Sequence, residues 1–307
     1  MLTFKPGKIL HPTDFSETST VALRWAESLA SHFLAELTVV YADRFGPAEY
    51  LEVSPEYLED LPHEKEKALS SLHEYLGETL AEASKWREAV AIDFPVPGIL
   101  KTARDEDSDL IVMGTHGRTG IRRALMGSIA EGVLHGSDRP VMTVRHRDGE
   151  PIPETYGIRK VLCPVNFTEV AHNALSHAAS IAVAFDAELV ILHVVESLDA
   201  VVQHEELLER LRDWIPSEIQ DHCDYKELAI KGHAAEQIID FAKKINIDMI
   251  TIGAQHQAFH DTTVIGTTTE KITRYSYCPV LTVTRRVAVE KSAEESHRFM
   301  EPIGLMI

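Results

Sequence analysis

The chain has 307 residues, of which 44% are hydrophobic and 25% charged, and a net charge of −18. That length suggests about two domains, and the apolar content is enough to build packed cores. Split at residue 150, the first half has 16 Lys/Arg against 25 Asp/Glu and the second 14 against 23, so each half carries −9. Neither half offers the basic face that nucleic acids or anionic membrane surfaces require. No apolar run approaches the ~20 residues that span a bilayer. The three cysteines, Cys163, Cys223 and Cys278, form no CxxC pair or disulfide framework, which fits a reducing compartment. The N-terminus shows no apolar secretory segment, so the expectation is a soluble cytoplasmic protein.

In chain order, Lys8–His11 reads as a short strand that ends at Pro12. Ser16 is placed to cap a helix whose apolar face is Val21, Leu23, Trp25, Ala26, Leu29 and Phe33. Leu37–Ala42 is a continuous apolar strand, the pattern of burial on both faces. Residues 43–62, with Pro47, Pro55 and Pro62, read as an irregular insertion. Residues 63–83 carry Ala68, Leu69, Leu72, Leu76 and Leu80 at helical spacing. Val90–Phe94, Leu110–Met113 and Val141–Val144 supply three more strands. Residues 146–157 are polar and rich in Pro and Gly, as a linker is.

The chain then repeats itself. Lys8-Ile9-Leu10-His11-Pro12-Thr13-Asp14-Phe15-Ser16 corresponds to Lys160-Val161-Leu162-Cys163-Pro164-Val165-Asn166-Phe167-Thr168, an offset of 152. Asp109–Gly114 corresponds to Asp248–Gly253, and Arg139–Val144 to Cys278–Val283, both at an offset of 139. Strand–helix alternation in each copy predicts an α/β fold of two tandem doubly wound domains. Each is a five-stranded parallel sheet with helices on both faces. The expected boundaries are domain 1 at 1–147, a linker at 148–157, domain 2 at 158–286 and a mostly polar tail at 287–307, its apolar end Ile303–Ile307 frayed.

The chemistry concentrates after the fourth strand of copy one. Gly114, Gly117 and Gly127-Ser128 stand in a G-x2-G-x9-G-S spacing. Glycines permit close backbone approach. Gly127-Ser128 opens a helix, whose free N–H groups and positive dipole end suit phosphates. Arg118, Arg122 and Arg123 lie inside the same loop and suit a polyanion. The loop is neither a Walker A nor a GxGxxG sequence.

With this loop and the Pro12-Thr13-Asp14 strand end, the chain resembles the universal stress protein family in its tandem form. The resemblance implies a Rossmann-like sheet of strand order 3-2-1-4-5 in each domain and ATP, with Mg as a possible companion, held between the ends of strands one, two and four. It places Pro12, Thr13 and Asp14 beside the adenosine, Ala42 against adenine and Met113 and Gly114 beside the ribose. Gly117, Gly127, Ser128 and Ile129 would face the phosphates, and Arg118 is added for its charge. In a sheet of that order the fifth strands, Val141–Val144 and Val280–Val283, would be apolar edges, and pairing them with each other would cover both. The resemblance suggests the same arrangement, an internal pseudo-dimer of the two domains, and a homodimer is held open.

Copy two departs from this pattern. Its loop runs from Gly253 to Gly266-Thr267 with His256 at the second glycine position, no Lys or Arg after it, and Asp261 within it. Asp14 becomes Asn166. Weak or no ATP binding is expected there. His256 and His260 are four apart, so a zinc site is conceivable, but no HExxH or paired-Cys pattern supports one and no metal is assigned. His193, Cys163 and Cys278 read as structural. No catalytic residue is marked: Asp14 and His116 are the candidates for metal, water or base roles, and slow hydrolysis at most is expected. The leading expectation is an ATP-binding stress-response regulator that switches a surface read by a protein partner. The alternatives are a weak Mg-dependent ATPase or phosphotransferase, and an interaction scaffold whose domain 2 binds another small ligand or a metal.

Overall fold

The structure, a computed structural model, describes residues 4–43, 55–81, 84–116, 126–146, 152, 156–196, 204–254, 257–259 and 262–284. The first repeat runs β1 (Lys8–Thr13), α1 (Glu17–Phe33), β2 (Glu36–Asp43), α2 (Pro55–Thr79), β3 (Trp86–Ile92), α3 (Pro95–Asp105), β4 (Leu110–Gly114), α4 (Ser128–Gly136) and β5 (Val141–Val144). The second runs β6 (Lys160–Val165), α5 (Glu169–Phe185), β7 (Glu188–Val195), α6 (His204–Trp214), α7 (Ser217–His222), β8 (Tyr225–Lys231), α8 (Ala234–Lys244) and β9 (Met249–Ala254). It ends with β10 (Gln257–Phe259), β11 (Thr262–Val264), α9 (Thr267–Tyr275) and β12 (Val280–Thr284). The tail 287–307 lies outside the described residues.

Ten strands form one sheet in the order β3-β2-β1-β4-β5-β12-β9-β6-β7-β8. Each half is a parallel sheet of order 3-2-1-4-5, as expected. The halves meet through the antiparallel β5–β12 pair, registered Val141↔Thr282, Met142↔Leu281 and Thr143↔Val280. The apolar edges of both domains are thereby closed. The two site ends of the sheet consequently point in opposite directions.

The same local rules act twice. Ser16 Oγ accepts the Ser19 N–H at the start of α1, and Thr168 accepts the Ala171 N–H at the start of α5; each cap contributes about 1 kcal/mol. Both helices end on a left-handed residue, Leu34 (φ 57°) and Asp186 (φ 52°). Phe15 and Phe167 (φ 62° and 61°) and Asp107 and Asn246 (φ 50° and 55°) form two further matched pairs of left-handed residues at the repeat offsets. Every expected core position of α1 is buried. On that face of the sheet one core runs through both repeats, joining α1 and α5 side chains to Met142, Val144, Leu281 and Val283. The opposite face has two cores, one under α3 and α4 and one under α8 and α9.

Four details differ from the sequence reading. β1 continues through Pro12 to Thr13, because its pairing with β4 is registered only at Ile9 and Leu10 and the ladder there has already opened when Pro12 is reached. Helix α2 begins at Pro55 and includes Pro62, where an irregular insertion was expected. A proline fits a helix start, and the one interior bond lost at Pro62 is offset by packing further along. Leu72 and Leu76 are fully buried, each contributing roughly 1.5–3 kcal/mol. β3 covers Trp86–Ile92 instead of Val90–Phe94, in full register with Leu37–Asp43. The second repeat adds the hairpin β10–β11, which the turn-poor sequence there did not announce. Among the described residues, no helix is long and apolar enough to cross a membrane.

Candidate functional site

At the carboxyl end of the first half-sheet, β1 stays paired with β2 up to Thr13 but leaves β4 after Leu10. This divergence opens a crevice at the topological switch point. The resulting cavity has a volume of about 280 Å³. β1 and its turn contribute Pro12, Thr13 and Asp14, α1 contributes Ser19, and β2 contributes Tyr41 and Ala42. α3 adds Pro95 and Ile99, the end of β4 adds Met113, Gly114, Thr115 and His116, and α4 with its cap adds Gly127, Ser128, Ile129 and Ala130.

The turn after β1 is rigid. Phe15 takes a left-handed φ of 62°, unusual for an aromatic residue. Its ring is held between Tyr41 (centroids 4.9 Å apart) and Tyr75 (5.1 Å). Asp14 Oδ1 accepts the Ser16 N–H at 3.1 Å, so the carboxylate is fixed at the cavity edge.

On the other side stands the N-terminus of α4. The Glu131 N–H makes a 3.0 Å bond to the Gly127 carbonyl, and the Gly127 N–H bonds the Thr115 carbonyl at 2.7 Å. The N–H groups of Ser128, Ile129 and Ala130 therefore precede the helical ladder, and among the described residues no side-chain cap bond is made to them. Such a helix end carries a partial positive charge and points donors at whatever sits before it. The Gly127 N–H is already bonded, so the donors left for an anion belong to the next three residues. Gly114, which lines the cavity, has a packing role as well. A Cβ there would meet Thr18 Cγ2 at 3.0 Å and the Ser19 nitrogen at 3.3 Å, so this glycine lets β4 pack against α1.

Ten of the residues singled out from sequence line this one cavity: Pro12, Thr13, Asp14, Ala42, Met113, Gly114, His116, Gly127, Ser128 and Ile129. Gly117 and Arg118, with Arg122 and Arg123, lie outside the described residues. Sequence reasoning missed Ser19, Tyr41, Pro95, Ile99, Thr115 and Ala130. Ser19 was within reach, being three residues after the cap on a helix that starts at the site. Pro95 and Ile99 come from α3, which only the folded topology brings to the cavity.

The second repeat has its own cavity in the equivalent place, of about 160 Å³. Val165, Asn166, Val194, Glu196, Ile252, Gly253, Thr268 and Thr269 are among its walls. Glu196 Oε1 accepts the Ala234 N–H at the start of α8 at 2.9 Å, which places a carboxylate at this cavity. The Phe167 ring lies against His193 (4.6 Å) and Trp214 (5.7 Å), with the Arg210 guanidinium 4.5 Å above it. His193 is half-buried, and its Nδ1–H donates to the Val165 carbonyl at 2.8 Å. Burial pushes the Cys278 thiol up to about 12 and the Cys163 thiol further still, so neither is poised as a nucleophile. His256 and His260 lie outside the described residues, and no cluster of three His, Cys, Asp or Glu that could hold a metal occurs among those described.

A wider groove of about 860 Å³ lies away from both cavities, along the C-terminal half of α1 and against Lys85, Ile152 and Tyr156. It has no helix N-terminus and no strand-end glycine, and the helix end beside it is the negative one.

With this geometry in place, comparison with known proteins decides the family. A profile of the universal stress protein family matches residues 6–145 and again 157–284. The chain belongs to the universal stress protein family. Universal stress protein MJ0577 of Methanocaldococcus jannaschii is 29% identical over 155 residues, covering 46% of this chain and 96% of that protein. A universal stress protein of Mycolicibacterium smegmatis is 24% identical over 301 residues, covering 91% of this chain and 97% of its own length. Among solved structures, a universal stress protein from Archaeoglobus fulgidus aligns over 92% of this chain and all of its own, with a TM-score of 0.69 and 24% identity. The first relative matches one repeat and the other two match both, in keeping with the tandem architecture.

Proposed function

We propose that this universal stress protein is a nucleotide-binding regulator of the stress response that holds one ATP in the cavity of its first repeat. The observation that carries the reading is the uncapped N-terminus of α4, with three N–H groups facing a strand-end cavity of about 280 Å³. That volume is near the lower end of ordinary ligand cavities, roughly 300–1,000 Å³, and suits the nucleoside half of the ligand. Pro12, Thr13, Asp14 and Ala42 would border the base and sugar, with Met113 and Gly114 beside them. Ser128 and Ile129 would meet the phosphates, joined by the loop that carries Gly117 and Arg118. Bound ATP would supply a polyanion that orders the β4–α4 loop, and the ordered loop is the surface a protein partner reads. Nothing in this scheme needs Mg, although the phosphates would carry it when present.

Titration calorimetry with ATP and ADP, together with amide hydrogen exchange of residues 114–130, tests the reading. Binding with a stoichiometry near one and protection that differs between ATP, ADP and no nucleotide are expected. Identical protection in all three states removes the switch. A second reading, slow Mg-dependent hydrolysis, draws on His116 and Asp14 lining the same cavity. Turnover lost in Asp14→Asn and His116→Ala variants would favour it. The cytoplasmic location, the partner and any further homodimer belong to the same proposal.

A further inference from the structure

Behind the wall of the first cavity runs a buried row of three polar side chains. His11 on β1 has no solvent exposure. Its Nδ1 lies 2.8 Å from the Val112 carbonyl oxygen, which can only accept, so Nδ1 carries the proton and Nε2 is a bare lone pair. That lone pair faces Ser19 Oγ at 3.4 Å. On its other side, the Ser19 hydroxyl donates to Thr13 Oγ1 at 3.0 Å. Thr13 Oγ1 also accepts the Phe15 N–H at 3.1 Å. Thr13 and Ser19 both line the cavity.

The single Ser19 proton therefore has two acceptors, and its choice sets what Thr13 offers. When it goes to Thr13, both acceptor positions of the Thr13 oxygen are filled, and the Thr13 proton is left to donate. Tyr75, itself held by Thr20 at 2.8 Å, is one taker within reach; a ligand in the cavity is the other. When the Ser19 proton goes to His11, Thr13 donates back to Ser19 and keeps a free acceptor position. The shorter distance favours the first arrangement. The second repeat has none of this: at the same three positions stand Cys163, Val165 and Ala171, all buried.

We propose that Ser19 and His11 are positioning residues of the first cavity, which set Thr13 as a hydrogen-bond donor to an acceptor atom on the nucleoside half of the ligand. His11 is the alternative, more distant acceptor for the Ser19 proton. The inference rests on the nucleotide reading of this cavity. The acceptor is a purine ring nitrogen or a ribose oxygen, and the experiment separates them.

Calorimetric affinities of ATP, 3-deaza-ATP, 7-deaza-ATP and 2′-deoxy-ATP are to be measured for the full chain and for its Thr13→Val, Thr13→Ser and Ser19→Ala variants. Val165 and Ala171 show that two of these replacements pack in this fold. One analogue binds the unaltered protein about 3- to 10-fold more weakly than ATP, the size of one lost hydrogen bond. That gap vanishes in Thr13→Val, survives in Thr13→Ser and shrinks in Ser19→Ala. In ¹⁵N spectra the His11 Nε2 resonance moves when ATP is added, and it stays still in Ser19→Ala, a change that mere packing would not produce. If ATP binds but every analogue behaves alike in all four proteins, the positioning role is overturned while the nucleotide reading stands. If millimolar ATP fails to bind the unaltered protein, the nucleotide reading falls and the positioning role falls with it.

Discussion

The two repeats share strand order, capping and even the positions of their left-handed residues, yet their sheet-end cavities differ. The first measures about 280 Å³ and is walled by Thr13, Asp14 and Ser19; the second measures about 160 Å³ and has Val165, Asn166 and Ala171 at those places. Both have an uncapped helix N-terminus, at Gly127 and at Gly266. A helix end alone therefore does not distinguish them. What distinguishes them is the polar floor, and the Glu196 carboxylate that the second cavity puts where an anion would be repelled. Duplication preserves the scaffold because β5 and β12 need each other, and it frees one site to drift.

The largest expected effect sharpens the scaffold side of this contrast. A Cβ at Gly253 would meet the Val170 carbonyl oxygen at 2.7 Å, whereas one at Gly114 meets a Thr18 methyl at 3.0 Å. Gly253→Ala should destabilise by about 3 kcal/mol and Gly114→Ala by about 1 kcal/mol in denaturant unfolding, since a backbone atom yields less than a methyl. Equal losses would show that the two helix–strand contacts are not as unlike as the structure makes them.

Next comes the ligand contrast. A side chain at Gly127 crowds the Thr115 carbonyl at 3.2 Å, while among the described residues nothing stands within 4 Å of a Cβ at Gly266. Gly127→Val should weaken ATP binding by about 100-fold, about 2.7 kcal/mol, and Gly266→Val should leave it unchanged.

The third contrast is in acid. Burial holds the His11 imidazole down at about 4, only partly offset by the Val112 carbonyl and Asp14. The unfolded chain takes up a proton at this residue as pH falls through about 6.5, and the folded chain does not until about 4. The unfolded state then binds more protons, so stability falls with pH across that window and levels below it. Between pH 7 and pH 5 the loss is on the order of 2 kcal/mol. His11→Cys, which copies Cys163, should remove that part of the acid sensitivity. An unchanged difference between wild type and variant at pH 7 and pH 5 would show that His11 titrates normally.

The smallest expected effect is an exchange of edge residues. Asp14→Asn should weaken ATP binding about 3- to 10-fold, the value of one hydrogen bond. Asn166→Asp should create no second site, because the smaller cavity and Glu196 remain.

Much of this was legible in the residues. The repeat offsets, the capped helix after Ser16 and the apolar runs are local patterns, so the tandem doubly wound architecture could be read from them; the strand order, and with it the pairing across Val141–Val144 and Val280–Val283, came from the family resemblance. The candidate site was legible where cavity-lining residues cluster in sequence, at 12–14, 113–114 and 127–129. Pro62 was misread because a proline signals a break locally, whereas buried leucines 10 and 14 residues further on decide in favour of the helix. Ile99 and Pro95 were missed because their role depends on how α3 docks, a tertiary fact with no local mark. The His11–Ser19–Thr13 row was missed because β1 and α1 must fold together before an imidazole on one and a hydroxyl on the other can be seen to meet.

The most direct test of the account is native mass spectrometry of the full chain with ATP, alone and as the Gly127→Val and Gly266→Val variants. One ATP per chain, lost in Gly127→Val and kept in Gly266→Val, is the predicted result. Two ATP per chain, or one that survives Gly127→Val and disappears in Gly266→Val, would contradict it.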